Sequence, residues 1–299
     1  MDYELIIIGT GPAGMTASIY AARYKVNHLI IGEMPGGLMS EAHKICNFPS
    51  ELEISGFDLM TKMKAHVDNF GTTWLMKKVD KIEKIANGFK VSAGEESWTA
   101  KTIILATGTK RQKLGLAREA ELTGKGVAYC ATCDAMFYKD KITAVVGGGN
   151  SAMTAALQLA EFCQKVYLLV RKDQLKGETV WAEQVTKNEK IEIIFNTEVK
   201  ELMGEDKLTG VKLNDRELEL AGLFIEVGSI PDSEWLADLQ VELNERGYIK
   251  VDDLKQTNIP GFLAAGDITT GSGGVHQIVT ACAEGAVAAN TVFQYIKKN

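Results

Sequence analysis

Cysteine, histidine and long apolar runs are all scarce in this chain, and each shortage removes a class of function. Five of 299 residues are cysteine, at positions 46, 130, 133, 163 and 282, an odd number with one close pair. That is not the framework of a disulfide-stapled secreted domain. The four histidines, His28, His43, His66 and His276, are scattered, and no second Cys or His pair recurs at ligand spacing, so no metal is expected. No apolar run approaches the ~20 residues needed to span a bilayer. Positive charge is also short: 33 Lys and Arg against 39 Asp and Glu give a formal net charge of −6, with no basic stripe for nucleic acid. The opening Met-Asp-Tyr-Glu runs directly into an apolar segment without a basic leader. A cytoplasmic location, with neither membrane nor nucleic-acid partner, is the expectation.

What the chain has in plenty is glycine, 29 residues clustered at a few short sites. A length of 299 with 45% hydrophobic and 24% charged residues suits two globular domains. An approximate repeat of strand, glycine turn and helix occurs twice. In the first copy, the apolar residues 5–8 read as a buried parallel strand, followed by Gly9-Thr-Gly11-Pro12-Ala13-Gly14 and an Ala-rich helix over 15–23. Gly9 permits the tight turn, Gly11 lets a pyrophosphate approach the backbone, and Gly14 lets helix pack on strand. A second strand is expected over 27–31, with Glu33 at its end, 19 residues after Gly14, placed to accept from ribose hydroxyls. An adenine dinucleotide is therefore expected here.

The second copy runs from a strand over 142–146 into Gly147-Gly-Gly149-Asn150-Ser151-Ala152, a helix over 153–162 and a strand over 165–170. Ala152 replaces the last glycine, which the fingerprint tolerates. Val170 stands where an acidic residue is usual, and Arg171, Lys172 and Lys176 cluster beside it. Cationic groups there favour the extra phosphate of NADPH, whereas a carboxylate would repel it. A solvated basic face beside Asp173 is the competing reading.

Further strands are expected to end at Thr107-Gly108, at Gly228 and at Gly266-Asp267, before a last helix over 277–295. The middle domain is thus inserted: residues 1–112 and 232–299 form the first domain and 113–231 the second. The fold class is α/β, with two Rossmann-like three-layer nucleotide-binding domains. Cys130-Ala-Thr-Cys133-Asp134 lies inside the inserted domain, just before its nucleotide strand. Two intervening residues at the start of a helical turn bring the sulfurs within disulfide reach and place a thiolate at the helix's positive end. Asp134 supplies a carboxylate able to carry protons, since each disulfide reduction consumes two. An inert pair, or half a metal site, is the alternative. Cys46, Cys163 and Cys282 are read as small buried residues.

Together these motifs resemble the low-molecular-weight thioredoxin reductases, flavoproteins of the pyridine-nucleotide disulfide oxidoreductase superfamily. The carriers are the two glycine turns, Gly36-Gly37, Asn47-Phe-Pro49, Ala106-Thr107-Gly108, Cys130-Ala-Thr-Cys133-Asp134, Gly228-Ser-Ile-Pro231 and Ala264-Ala-Gly266-Asp267. The resemblance implies FAD on the first fingerprint, Asn47 near the flavin, Asp267 on its ribityl and pyrophosphate part, and His276-Gln277-Ile278 beside the ring in place of Arg-Gln-Ala. It further implies that Cys133 faces the flavin, that Cys130 attacks a thioredoxin disulfide, that Asp134 acts as acid, and that the protein is a homodimer. Its NADPH signature of His-Arg-Arg and a later Arg appears here as Val170-Arg171-Lys172 and Lys176, which keeps charge but not the bidentate fork. The intact second fingerprint favours NADPH as donor. Reduced ferredoxin as donor, a glutaredoxin-like acceptor, and a flavin-bound redox sensor are the alternatives.

Overall fold

Apolar side chains alternate along the central strands, and that alternation builds the layers. The computed structural model describes residues 1–298 and separates the chain into two units, one of residues 1–110 with 230–299 and one of residues 111–229.

In the first unit, strands Thr73–Leu75, His28–Ile31, Tyr3–Ile8 and Glu96–Leu105 lie side by side and parallel. Phe262–Ala264 adds to the far half of Glu96–Leu105, also in parallel. The near half of that long strand pairs antiparallel with Gly88–Ala93, which pairs in turn with Lys81–Ile85. Leu5, Ile7, Ile30, Ile104 and Leu263 pack on Ala13, Ala17 and Ala21 of helix Pro12–Arg23 and on Ala281 and Ala288 of helix Ile278–Lys298. Ile6, Ile8, Leu29, Ile31, Ile103 and Leu105 pack on the other side, against Ile82, Phe89 and Val91. Both faces are covered, so the parallel strands read as unbroken apolar runs.

The second unit repeats the scheme. Its parallel strands run in the order Ile191–Ile194, Lys165–Leu169, Ile142–Val146, Gly222–Ile225 and Val127–Ala128. Val145, Val166, Leu168 and Phe224 pack on helices Asn150–Phe162 and Thr179–Lys187. Ala144, Val146, Leu169, Leu223 and Ile225 pack on a separate antiparallel layer made by Glu201–Met203, Gly210–Lys212 and Glu217–Glu219. The parallel order, helical face and stranded face thus recur in both units.

Three expectations shift. The helices begin at Pro12 and Asn150, three residues earlier than read from composition, because the chain enters each helix directly from its glycine turn and proline suits the first helical position. The second strand begins one residue later than expected, at His28, and ends at Ile31 as read, with Glu33 exposed in the loop that follows. Of the three other cysteines only Cys163 is buried; Cys46 is exposed and Cys282 half-buried, since Cys46 sits in an irregular surface segment instead of a core strand. Among the described residues no helix is long and apolar enough to cross a membrane.

Candidate active site

The first turn is built by contact with the backbone. Gly9 has φ of +116°, and a Cβ there would lie 2.2 Å from the Ala106 carbonyl oxygen, at the end of strand Glu96–Leu105. A Cβ on Gly14 would fall 1.9 Å from the carbonyl oxygen of Gly9. Only hydrogen fits at either place. Gly11 differs: it caps helix Pro12–Arg23 in extended conformation with no side chain on the helix's free N–H groups, and its hypothetical Cβ meets nothing closer than 3.9 Å. An open helix N-terminus with bare amides is what a diphosphate needs.

Other residues singled out from the sequence gather at this turn. The Thr10 hydroxyl donates to the Met34 carbonyl (2.7 Å) and the Gly36 N–H donates to Thr10 O (2.8 Å), which draws the loop carrying Glu33 and Gly37 against Gly11. Thr107 and Gly108 follow the Ala106 carbonyl that faces Gly9. Gly266 abuts Ala13: a Cβ there would be 2.9 Å from that of Ala13, so Asp267 arrives at the head of the first helix. Burial pushes the Asp267 carboxyl above its ordinary range, with His276 opposing the shift and Glu284 adding to it. His276 lies against the Tyr248 ring at 5.3 Å between centroids. Asn47 Nδ2 donates to Gln277 Oε1 at 3.0 Å, joining two segments that sequence could only set down separately. Ile278 begins the last helix.

Gly147, at φ +144°, presses on the Glu226 carbonyl as Gly9 does on Ala106, again with 2.2 Å to a hypothetical Cβ. Gly149 caps helix Asn150–Phe162 without a side-chain bond, and its Cβ would meet nothing within 4 Å. Ala152 is fully buried below the turn. The loop after strand Lys165–Leu169 returns over this turn. The Lys176 N–H donates to the Gly148 carbonyl (2.7 Å), and the Asn150 side chain bonds both the Glu178 backbone N–H (2.7 Å) and the Glu178 carboxylate (3.1 Å). Arg171, Lys172 and Lys176 are exposed. Val170 is buried against Gly148, whose Cβ would lie 2.9 Å from it. Ser151 stands exposed on the first turn of the helix.

Cys130 and Cys133 form a disulfide, with Cα atoms 5.3 Å apart. Cys130 caps the short helix Ala131–Asp134, accepting at sulfur from the Cys133 N–H (3.1 Å). Thr132 donates to the buried Gln158 of helix Asn150–Phe162 (3.1 Å), so the helix that rises from the glycine turn also braces the redox pair. Cys133 is exposed and Cys130 half-buried. Burial raises the Asp134 carboxyl above the usual aspartate range, which suits a group that must hold and release a proton.

Two buried glutamates were missed. Glu284, in the last helix, accepts from the Gly266 N–H (2.8 Å), the Thr269 hydroxyl (2.8 Å) and the Ser272 hydroxyl, with the buried Lys255 ammonium 3.9 Å away. It shapes the loop that presents Asp267. Glu119, 4% exposed, accepts from the Leu114, Gly115 and Leu116 N–H groups and from the Tyr129 hydroxyl. An acidic residue in an otherwise Ala- and Val-rich helix face was the available signal for Glu284; Glu119 offered none.

A model of the pyridine nucleotide-disulphide oxidoreductase family matches residues 3–285. The chain is 37% identical to a thioredoxin reductase of Peptoclostridium acidaminophilum, over 99% of this chain and 98% of that one. It is 36% identical to a thioredoxin reductase of Listeria monocytogenes, over 99% and 94%. Among solved structures it is similar to thioredoxin reductase of Lactococcus lactis (TM-score 0.95, 34% identity, 99% and 100% covered) and of T. acidophilum (0.93, 35%, 98% and 98%). A ferredoxin-flavin thioredoxin reductase of Clostridium acetobutylicum is similar at TM-score 0.55 and 33% identity, with 99% of each chain covered.

Proposed function

The chain belongs to the pyridine nucleotide-disulphide oxidoreductase family, and from that premise we propose that it is an FAD-dependent, NADPH-linked thioredoxin-disulfide reductase working through Cys130 and Cys133. The observation that carries the reading is a disulfide at the head of a short helix, in a unit that has a glycine turn of its own. The family implies use of a flavin and of a nicotinamide nucleotide. The first turn suits FAD: bare amides at Gly11, Ala13 and Gly14, a cradle no Cβ would fit at Gly9 and Gly14, and Asp267 brought to the same helix end. The second suits NADPH, with Gly147, Gly149, Asn150, Ser151 and Ala152 at the turn and exposed cations at Arg171, Lys172 and Lys176.

A flavin bound at the first site supplies two-electron exchange between nicotinamide and disulfide, chemistry no side chain here offers. The chain's own groups do the rest. Helix N-termini at Pro12 and Asn150 hold the diphosphates, and Glu33 accepts from ribose hydroxyls. The reduced Cys130 thiolate attacks one sulfur of the partner disulfide, releasing the other as a thiolate. Cys133 then attacks the mixed bond at Cys130, re-forming the Cys130–Cys133 disulfide and freeing the reduced partner. Asp134, with its raised affinity for a proton, protonates a departing thiolate. The acceptor is a thioredoxin-like protein, and the compartment is the cytoplasm, where NADPH and reduced thioredoxins are kept. Leu52 and Phe57, 96% and 63% exposed in the first unit, suit a surface that a second copy covers in a homodimer.

Anaerobic titration of the flavin-loaded protein tests this. NADPH is expected to bleach the flavin band, with oxidised thioredoxin restoring it. Bleaching by reduced ferredoxin alone would favour the second reading, which the likeness to the ferredoxin-flavin enzyme supports. Bleaching by NADPH without turnover of any redoxin would point to a sensor.

A further inference from the structure

The disulfide is held on both flanks, and one flank depends on a residue with no counterpart in the chemistry above. On the Cys133 side, Thr132 is tied to Gln158 in a helix. On the Cys130 side, the preceding strand Val127–Ala128 has only two residues and lies at the sheet edge, paired to Leu223 and Phe224 on one side and held on the other by a single bridge from Val127 to Thr123. So short a strand is a weak anchor. The stronger tie is the Tyr129 hydroxyl, which donates to Glu119 Oε1 at 2.5 Å. Glu119 is fixed in turn by N–H groups of Leu114 (3.0 Å), Gly115 (2.7 Å) and Leu116 (3.0 Å), and its own carbonyl accepts from the Thr123 hydroxyl (2.8 Å).

We propose that Glu119, acting through Tyr129, is a positioning residue that holds the two cysteines at bonding distance and so sets how readily their disulfide is reduced. A disulfide is favoured over its dithiol in proportion to the effective concentration of one sulfur at the other. Freeing the Tyr129–Cys130 segment lets the sulfurs separate once reduced, which lowers that concentration and makes the pair easier to reduce. Burial works against the Glu119 charge, but the Tyr129 hydroxyl and the three amides outweigh it and keep the carboxyl below its ordinary range, so the tie stays charged near neutrality. The inference rests on Cys130–Cys133 being the redox centre proposed above.

The test equilibrates the full-length flavoprotein with glutathione buffers, two glutathiones giving one glutathione disulfide and one Cys130–Cys133 dithiol, and traps the thiols by alkylation for mass spectrometry. No pyridine nucleotide or redoxin is present, so a wrong donor or acceptor leaves the readout intact. Both Tyr129→Phe and Glu119→Gln are expected to raise the dithiol-to-disulfide ratio about tenfold at a given buffer, equal to about 30 mV for this two-electron couple, with flavin content unchanged. A ratio unchanged in Tyr129→Phe, which removes a single hydroxyl, overturns the proposal. So does a shift confined to Glu119→Gln. Should Glu119→Gln fail to fold, Tyr129→Phe alone decides.

Discussion

In the first unit the last glycine of the turn admits no substituent, whereas in the second an alanine occupies that position, fully buried. Beyond the next strand, the first unit offers an exposed Glu33 and the second an inward Val170 with cations outside it. One architecture, used twice, therefore keeps its backbone devices and varies the side chains beyond its second strand. On the proposed reading, the turn sets where a diphosphate would lie, and a few side chains at one strand end would decide which dinucleotide is accepted.

The sharpest way to separate the units is to remove a thiol that only one of them carries. Cys130→Ser and Cys133→Ser are each expected to cut thioredoxin reduction by a factor of roughly 1,000 or more, while NADPH still bleaches the flavin; loss of bleaching in both would show that the units do not divide the labour this way. Next comes the turn itself. Gly14→Ala drives a methyl onto the Gly9 carbonyl and is expected to cost about 3 kcal/mol and most of the flavin. The opposite exchange, Ala152→Gly, is expected to cost only about 1 kcal/mol, both read from denaturant unfolding and flavin absorbance.

At the strand ends, Lys176→Ala together with Arg171→Ala is expected to raise KM for NADPH about tenfold, close to 1.4 kcal/mol, and to leave KM for NADH nearly unchanged. Equal effects on both would return these residues to a solvated face. The smallest effect concerns the second strand of each unit. His28 is buried, its Nδ1 against the Val26 carbonyl and its Nε2 against the Ser18 hydroxyl, both at 2.9 Å, while Lys165 pairs with Glu192 in the open. Burial holds the His28 imidazole below its ordinary range, with the Val26 carbonyl opposing. The unfolded chain therefore takes up the proton first. Stability from this group is full above the ordinary imidazole range and is lost as pH falls below about 6.5. Urea unfolding should show a fall in midpoint from pH 7.5 to 5 that His28→Gln reduces.

Much of this was legible because it is local. Gly9, Gly11 and Gly14, or Gly147 and Gly149, answer to φ angles and contacts set within a few residues, and a C-x-x-C pair closes its own bond. The antiparallel layer of the first unit was also legible: a two-residue turn at Ala86-Asn87, then Phe89, Val91 and Ala93 alternating with polar residues. No nucleotide motif marks it, so it stood outside the expectations drawn from the glycine turns. Glu119 was not legible, and Glu284 only as a lone acid on an Ala- and Val-rich helix face, since a carboxylate's value there depends on donors that the fold alone brings to it. The Asn47–Gln277 bond joins residues 230 apart, and no periodicity encodes it.

The nesting of one unit inside the other sets the order in which the protein becomes complete during synthesis. Residues 111–229 are contiguous, so every strand of the inserted unit is synthesised before strand Phe262–Ala264 of the outer one. The outer unit has to wait. Until Phe262–Ala264 arrives beside Glu96–Leu105, and Ile278–Lys298 covers Pro12–Arg23, its sheet has an open edge and an uncovered apolar face. A nascent chain halted before residue 262 should therefore carry a finished inserted unit with its Cys130–Cys133 pair on an unfinished outer one, with chaperones finding their target in the half made first.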